Sequence, residues 1–109
     1  MKINIKIKNR TNLFELNVDT DKKICEINKE NYEADTELIA LKVYAMVHKW
    51  PENISTPSAL DGEKYRITIV SDENRKVFTG ENSFPVNYNE FKEYVYSLKN
   101  LKIAKRELE

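Results

Sequence analysis

Cys25 and His48, the one cysteine and the one histidine of this chain, are the only residues that could form a thiol–imidazole nucleophilic pair. In such a pair the imidazole takes the thiol proton while backbone donors hold the developing oxyanion. No glycine-rich turn surrounds Cys25 to supply those donors. The preferred reading is a small core cysteine and a partly exposed histidine in a last helical turn, where positive charge suits the helix dipole. The same two residues cannot complete a structural zinc site, which takes four Cys or His ligands. Asp19-Thr20-Asp21 lacks the glycine and the later glutamate of a calcium loop. Asp61 with Glu63, and Asp72 with Glu73, fall in turn-like sequence where water keeps carboxylates ionised and undifferentiated. Gly62 and Gly80 are the only two glycines, too few for a phosphate-cradling loop. No catalytic residue, metal or cofactor is expected.

Binding chemistry is better represented. Lys2, Lys6 and Lys8 fall on one side of an alternating segment, and the chain holds six tyrosines and four phenylalanines. Cations interleaved with aromatics could form a single-strand nucleic-acid platform. The simpler reading is that outward lysines guard an edge strand, with the aromatics at inward positions. A second candidate is the stretch Asn82-Ser83-Phe84-Pro85-Val86-Asn87-Tyr88. Asn tolerates a left-handed turn, Pro sets the helix entry, and Phe84 can staple onto the first turns. A loop held between a rigid hairpin and a helix is also a place for a partner to dock. Asn82, Ser83, Phe84 and Tyr88, with Lys2, Lys6 and Lys8, are therefore the candidate partner-binding residues.

The elements that must position these residues follow from periodicity. Ile3, Ile5 and Ile7 alternate with polar residues, as do Phe14, Leu16 and Val18, predicting a hairpin across the polar turn 9–12. A short third strand is predicted at 24–28, with Cys25 and Ile27 inward. Asp35 can cap a helix beginning near Thr36, along which Ile39, Val43, Met46 and Trp50 form one stripe. Leu38, Leu41, Ala45 and Val47 widen that stripe and predict burial on most sides. Pro51 ends the helix, and residues 52–60, with Pro57, read as a long loop. Tyr65, Ile67 and Ile69 mark a further strand, with a return strand around Val77. Gly80 is expected to permit a conformation that a Cβ would resist. Asn87 with Glu90 resembles a capping box for a last helix carrying Phe91, Val95, Leu98 and Leu101. From about residue 100 onward Lys102, Lys105 and Arg106 leave only Ile103 and Leu108 to bury, which predicts fraying.

At 109 residues the chain suits a single domain, 1–109, with one core. Lys plus Arg and Asp plus Glu number 18 each, so the formal net charge is zero. That balance disfavours both a non-specific nucleic-acid binder and an acidic nucleic-acid mimic. A single cysteine allows no internal disulfide. The first eight residues alternate charge with apolar side chains and do not read as a signal peptide, and no stretch approaches the roughly 20 apolar residues of a membrane span. A reduced, cytoplasmic setting is expected.

The run from residue 50 to 96 resembles a module of small uncharacterised bacterial proteins. The residues that carry the likeness are Trp50, Asp61, Gly62, Tyr65, Gly80, Asn82, Phe84, Pro85, Asn87, Tyr88 and Phe91. Some proteins of that kind accompany secreted toxins as immunity partners, so the resemblance implies a binding role and no catalytic residue. The sequence thus predicts an α+β domain of order ββ(β)αββα, an antiparallel sheet of four to five strands with two helices on one face. The leading function is a non-enzymatic protein-binding domain that occludes a partner macromolecule. A nucleic-acid-associated regulator using the Lys-bearing strand face is second, and a small hydrolase third. The expected partner is another protein, not nucleic acid or a membrane, and the chain is expected as a monomer or an edge-paired homodimer.

Overall fold

The computed structural model describes residues 1–55 and 62–104. Alternation decides the first hairpin. Ile3, Ile5 and Ile7 of β1 (Lys2–Lys8) and Phe14, Leu16 and Val18 of β2 (Leu13–Asp19) all bury on one side. Asn9 builds the turn between them, its Oδ1 accepting from the backbone N–H of Thr11 at 3.1 Å and of Asn12 at 2.9 Å. Asp19 does the same at the next turn for Asp21 at 3.0 Å and Lys22 at 3.1 Å. β3 (Ile24–Ile27) follows with Cys25 and Ile27 inward, then the two-residue β4 (Glu30–Asn31).

Asp35 caps α1 (Thr36–Val47), its Oδ1 accepting from the Leu38 N–H at 3.1 Å. The helix buries Ile39, Ala40, Val43 and Val47 against the sheet. Its expected burial on most sides is not observed: Leu38 is 46% and Leu41 65% exposed, and Ala45 is exposed as well. A helix on the outside of a two-layer domain has only one face to cover. The helix stops at Val47, short of the end expected at Pro51, and Trp50 is buried from the turn that follows, its backbone N–H donating to the Val47 carbonyl at 2.9 Å.

The chain continues through β5 (Asn53–Ser55), β6 (Lys64–Ser71) and β7 (Asn74–Glu81), then α2 (Tyr88–Ser97) and a 3₁₀ turn (Leu98–Asn100). The strands of the described residues join one seven-stranded sheet of order β4-β3-β2-β1-β6-β7-β5, in which β5 runs parallel to β7 and the other neighbours are antiparallel. The fold is α+β, but the sheet is mixed and larger than four to five antiparallel strands. The additional strands, β4 (Glu-Asn) and β5 (Asn-Ile-Ser), are too short for an alternation to mark them. Buried residues of the strands and of both helices form one cluster, so the helices share one face of the sheet.

Several local expectations are corrected. β1 is not an edge: β2 and β6 flank it, so its lysines do not guard an unpaired backbone. Gly80 does not adopt a positive φ. It is needed for space, because the Tyr65 ring occupies the volume that a Cβ would fill. Asn87 makes no side-chain cap on α2. Its Oδ1 accepts from Trp50 Nε1 at 2.7 Å and its Nδ2 donates to the Met46 carbonyl at 3.0 Å, so it ties α2 to the end of α1. Residues 101–104, expected to fray, are held: the Glu33 N–H donates to Lys102 O at 2.7 Å and the Ala104 N–H to Asn31 O at 2.9 Å, around a bridge of Tyr32 with Ile103. Pro57 and the rest of the loop 56–60, Asp61, Lys105, Arg106 and Leu108 lie outside the described residues.

Candidate functional site

Both helices lie on one face; among the described residues the other face carries no covering layer, and the side chains there follow from strand register. One row reads Glu15, Lys6, Arg66, Thr79 and Asn53, and the next reads Leu13, Lys8, Lys64 and Glu81. Lys6 therefore stands directly opposite Arg66, and Lys8 directly opposite Lys64. Like charges at such positions have Cβ atoms about 4.5–5.5 Å apart and destabilise the pairing. Carboxylates answer two of the four cations. Glu15 lies 3.9 Å from Lys6, and Glu81 lies 3.4 Å from Lys64. Both pairs are solvent-exposed, where such bridges contribute little. Lys8 and Arg66 have no acidic partner among the described residues. The four cations and Leu13, which is 56% exposed, line a depression of about 400 Å³.

The middle of the face is an amide ladder. Asn4 Nδ2 donates to Asn17 Oδ1 at 2.6 Å and to Glu15 Oε2 at 2.9 Å, and Asn17 Nδ2 donates to Glu26 Oε1 at 3.4 Å. Beyond the ladder, Lys2, Asp19 and the half-exposed Ile24 line a second depression of about 340 Å³. The face is thus cationic over β1 and β6 and anionic toward β2 and β3. Two backbone hydrogen bonds from Lys22 and Asp21, with burial opposing them, hold the Asp19 carboxyl below the usual aspartate range. The bond from Lys22 is the largest influence and Lys2 assists.

Of the candidate residues, Lys6 and Lys8 share the first depression, whereas Lys2 belongs to the second. Asn82, Ser83, Phe84 and Tyr88 join the helix layer on the covered side and do not meet the lysines. Tyr88, one of the candidate contact residues, lies inside the aromatic cluster. It is only 4% exposed, and its hydroxyl donates to Glu63, so it serves the core. Asn82 takes a φ of 58° and packs its side chain where Gly62 would otherwise carry a Cβ. Phe84 stacks on Tyr88 at 4.5 Å and remains 40% exposed, with the fully exposed Val86 beside it.

Glu63 is the polar centre of that side. It accepts from Lys92 at 2.7 Å, from Tyr88 and from Asn9 at 3.4 Å. Burial works against its charge, yet the three donors together hold its carboxyl below the usual range. Burial, joined by the bond to Glu63, raises the Tyr88 phenol, and burial alone pushes Tyr65 up to about 12. Burial also raises the Cys25 thiol, the opposite of what a thiolate nucleophile needs. His48 lies exposed at the end of α1, its ring stacked on Tyr44.

Sequence reading missed Lys64 and Arg66. Their signal was present, since Lys64-Tyr65-Arg66-Ile67 alternates as Lys6-Ile7-Lys8 does. What it cannot show is that these distant strands pair. Among the described residues, no helix is long and apolar enough to cross a membrane and no group of three or more His, Cys, Asp or Glu is placed to hold a metal. Comparison with family models, with curated proteins and with solved structures gives no match.

Proposed function

We propose that this domain is a non-enzymatic protein-binding module, of the immunity or antagonist kind, that occludes a partner macromolecule with the open face of its sheet. The observation that carries the reading is the register of β1 against β6, which sets Lys6 against Arg66 and Lys8 against Lys64. An arrangement that weakens the isolated sheet suits a surface completed by something else. A protein is the better fit than a nucleic acid. The ring clusters of Trp50, Tyr65, Tyr88 and Phe91 and of Phe14 with Tyr96 lie on the covered side, which leaves no base-stacking platform among the cations in the described residues. Glu15, Glu26, Asp19 and Glu81 also interrupt the positive field. The outermost strands, of two and three residues, offer little edge for pairing, which favours a monomer. A single buried thiol suits a reducing, cytoplasmic setting.

The test is a two-hybrid library screen run in parallel with the native chain, a Lys6→Glu/Lys8→Glu/Arg66→Glu variant and a Lys42→Glu control on α1. Partners kept by the control and lost by the open-face variant, with melting unchanged, are the expected result. Partners indifferent to the open face would refute the assignment.

A further inference from the structure

We infer that the part of the partner seated on this face is an extended acidic segment with carboxylates at alternate positions. This deepens the protein-binding reading and rests on it. Lys6 and Lys8 are two residues apart on one side of β1, and Arg66 and Lys64 are two apart on the adjoining strand. Residues so spaced on a strand stand about 6.6–6.8 Å apart. Cross-strand pairing closes them into a two-by-two grid of cations at the floor of the depression.

Within that grid the bridged residues, Lys6 and Lys64, occupy one diagonal. Lys8 and Arg66, without acidic partners among the described residues, occupy the other. These two charges are diagonal neighbours about 7–8 Å apart, close to the spacing of about 6.6–6.8 Å at which alternate side chains of an extended peptide project to one side. Each carboxylate can take paired donors from Arg66 or a single ammonium from Lys8. Leu13, at the end of the lysine row, gives an apolar contact beside them. Glu15 and Glu81 flank the grid on opposite sides. They limit the site to discrete acidic groups and repel a continuous polyanion.

The experiment measures anisotropy of fluorescein-labelled peptides: one alternating Glu and Thr, one of the same composition with all Glu at one end, and an oligothymidylate of similar length. Amide shifts of ¹⁵N-labelled protein locate the contact. The alternating peptide should bind at least about threefold more tightly than its blocked isomer, moving amides of Lys8, Leu13 and Arg66. Lys8→Gln with Arg66→Gln should weaken it about two- to thirtyfold, the sum of two exposed ion pairs. Lys99→Gln on the covered side should leave it unchanged, and thermal melting checks that each variant is folded. Equal binding of the two peptides, or tighter binding of the oligothymidylate, overturns the inference, as does concentration-dependent dimerisation through this face. If the two-hybrid partners still depend on the open face while neither peptide binds, the acidic-segment inference falls and the protein-binding reading stands.

Discussion

The two faces of the sheet are made by the same strands and obey opposite rules. On the covered face Ile3, Ile5, Ile7, Leu16, Ile67 and Phe78 meet α1 and α2, and none is more than 2% exposed. There every neighbour supports its neighbour, and Trp50 and Phe91 meet edge to face at 5.1 Å. On the open face Lys6 meets Arg66 and Lys8 meets Lys64, while the amides of Asn4 and Asn17 bond to each other and to the carboxylates of Glu15 and Glu26. The covered face holds the fold together. The open face carries local conflict that its own strands do not resolve, and a surface of that kind is where recognition is expected.

Breaking the covered face should have the largest effect. Phe91 is fully buried, so Phe91→Ala should cost about 3–5 kcal/mol in urea unfolding. A loss under about 1 kcal/mol would mean that the two faces are not energetically distinct. A smaller effect lies at the rim of that face, where Glu63 joins the first hairpin to α2. Its carboxyl sits below the usual value of 4.5, so the stability it adds is present above that value and is lost as pH falls through its lowered folded pKa. Melting followed from pH 7 downward should show an acid limb below about 4.5 that Glu63→Gln reduces. An unchanged limb would place the acid-sensitive carboxylate elsewhere. The smallest effect, and opposite in sign, belongs to the open face. Arg66→Thr relieves its opposition to Lys6, so stability should hold or rise by about 0.2–1 kcal/mol at low salt. The gain should shrink as salt screens the repulsion. A clear destabilisation would show that Arg66 supports the fold and does not await a partner.

Much of this architecture was legible in residue order. The period-two pattern of β1, β2 and β6 placed their apolar residues inward, and the Asp35 cap set where α1 starts. The rest depended on facts that spacing does not carry. β4 and β5 are too short for a period to emerge and exist because neighbouring strands offer open hydrogen bonds. Asn87 has the residue type of a helix cap, but Trp50 and the Met46 carbonyl compete for its amide and win. Gly80 looked like a backbone requirement and proved to be the floor beneath Tyr65. For the candidate surface, Lys6 and Lys8 were visible as outward residues, while half of the cation grid stood on a strand more than fifty residues away in sequence.

The sequence by itself determined which side of each long strand would be apolar, because alternation is a local property of the extended backbone. It also determined that the chain holds a single thiol and a single imidazole. Only the tertiary structure decided that β1 lies between β2 and β6, since strand neighbours are chosen by the fit of the whole apolar face over the helices. That choice set Lys6 beside Arg66 and Lys8 beside Lys64. The charges were written in the chain, but their juxtaposition came from packing on the opposite face.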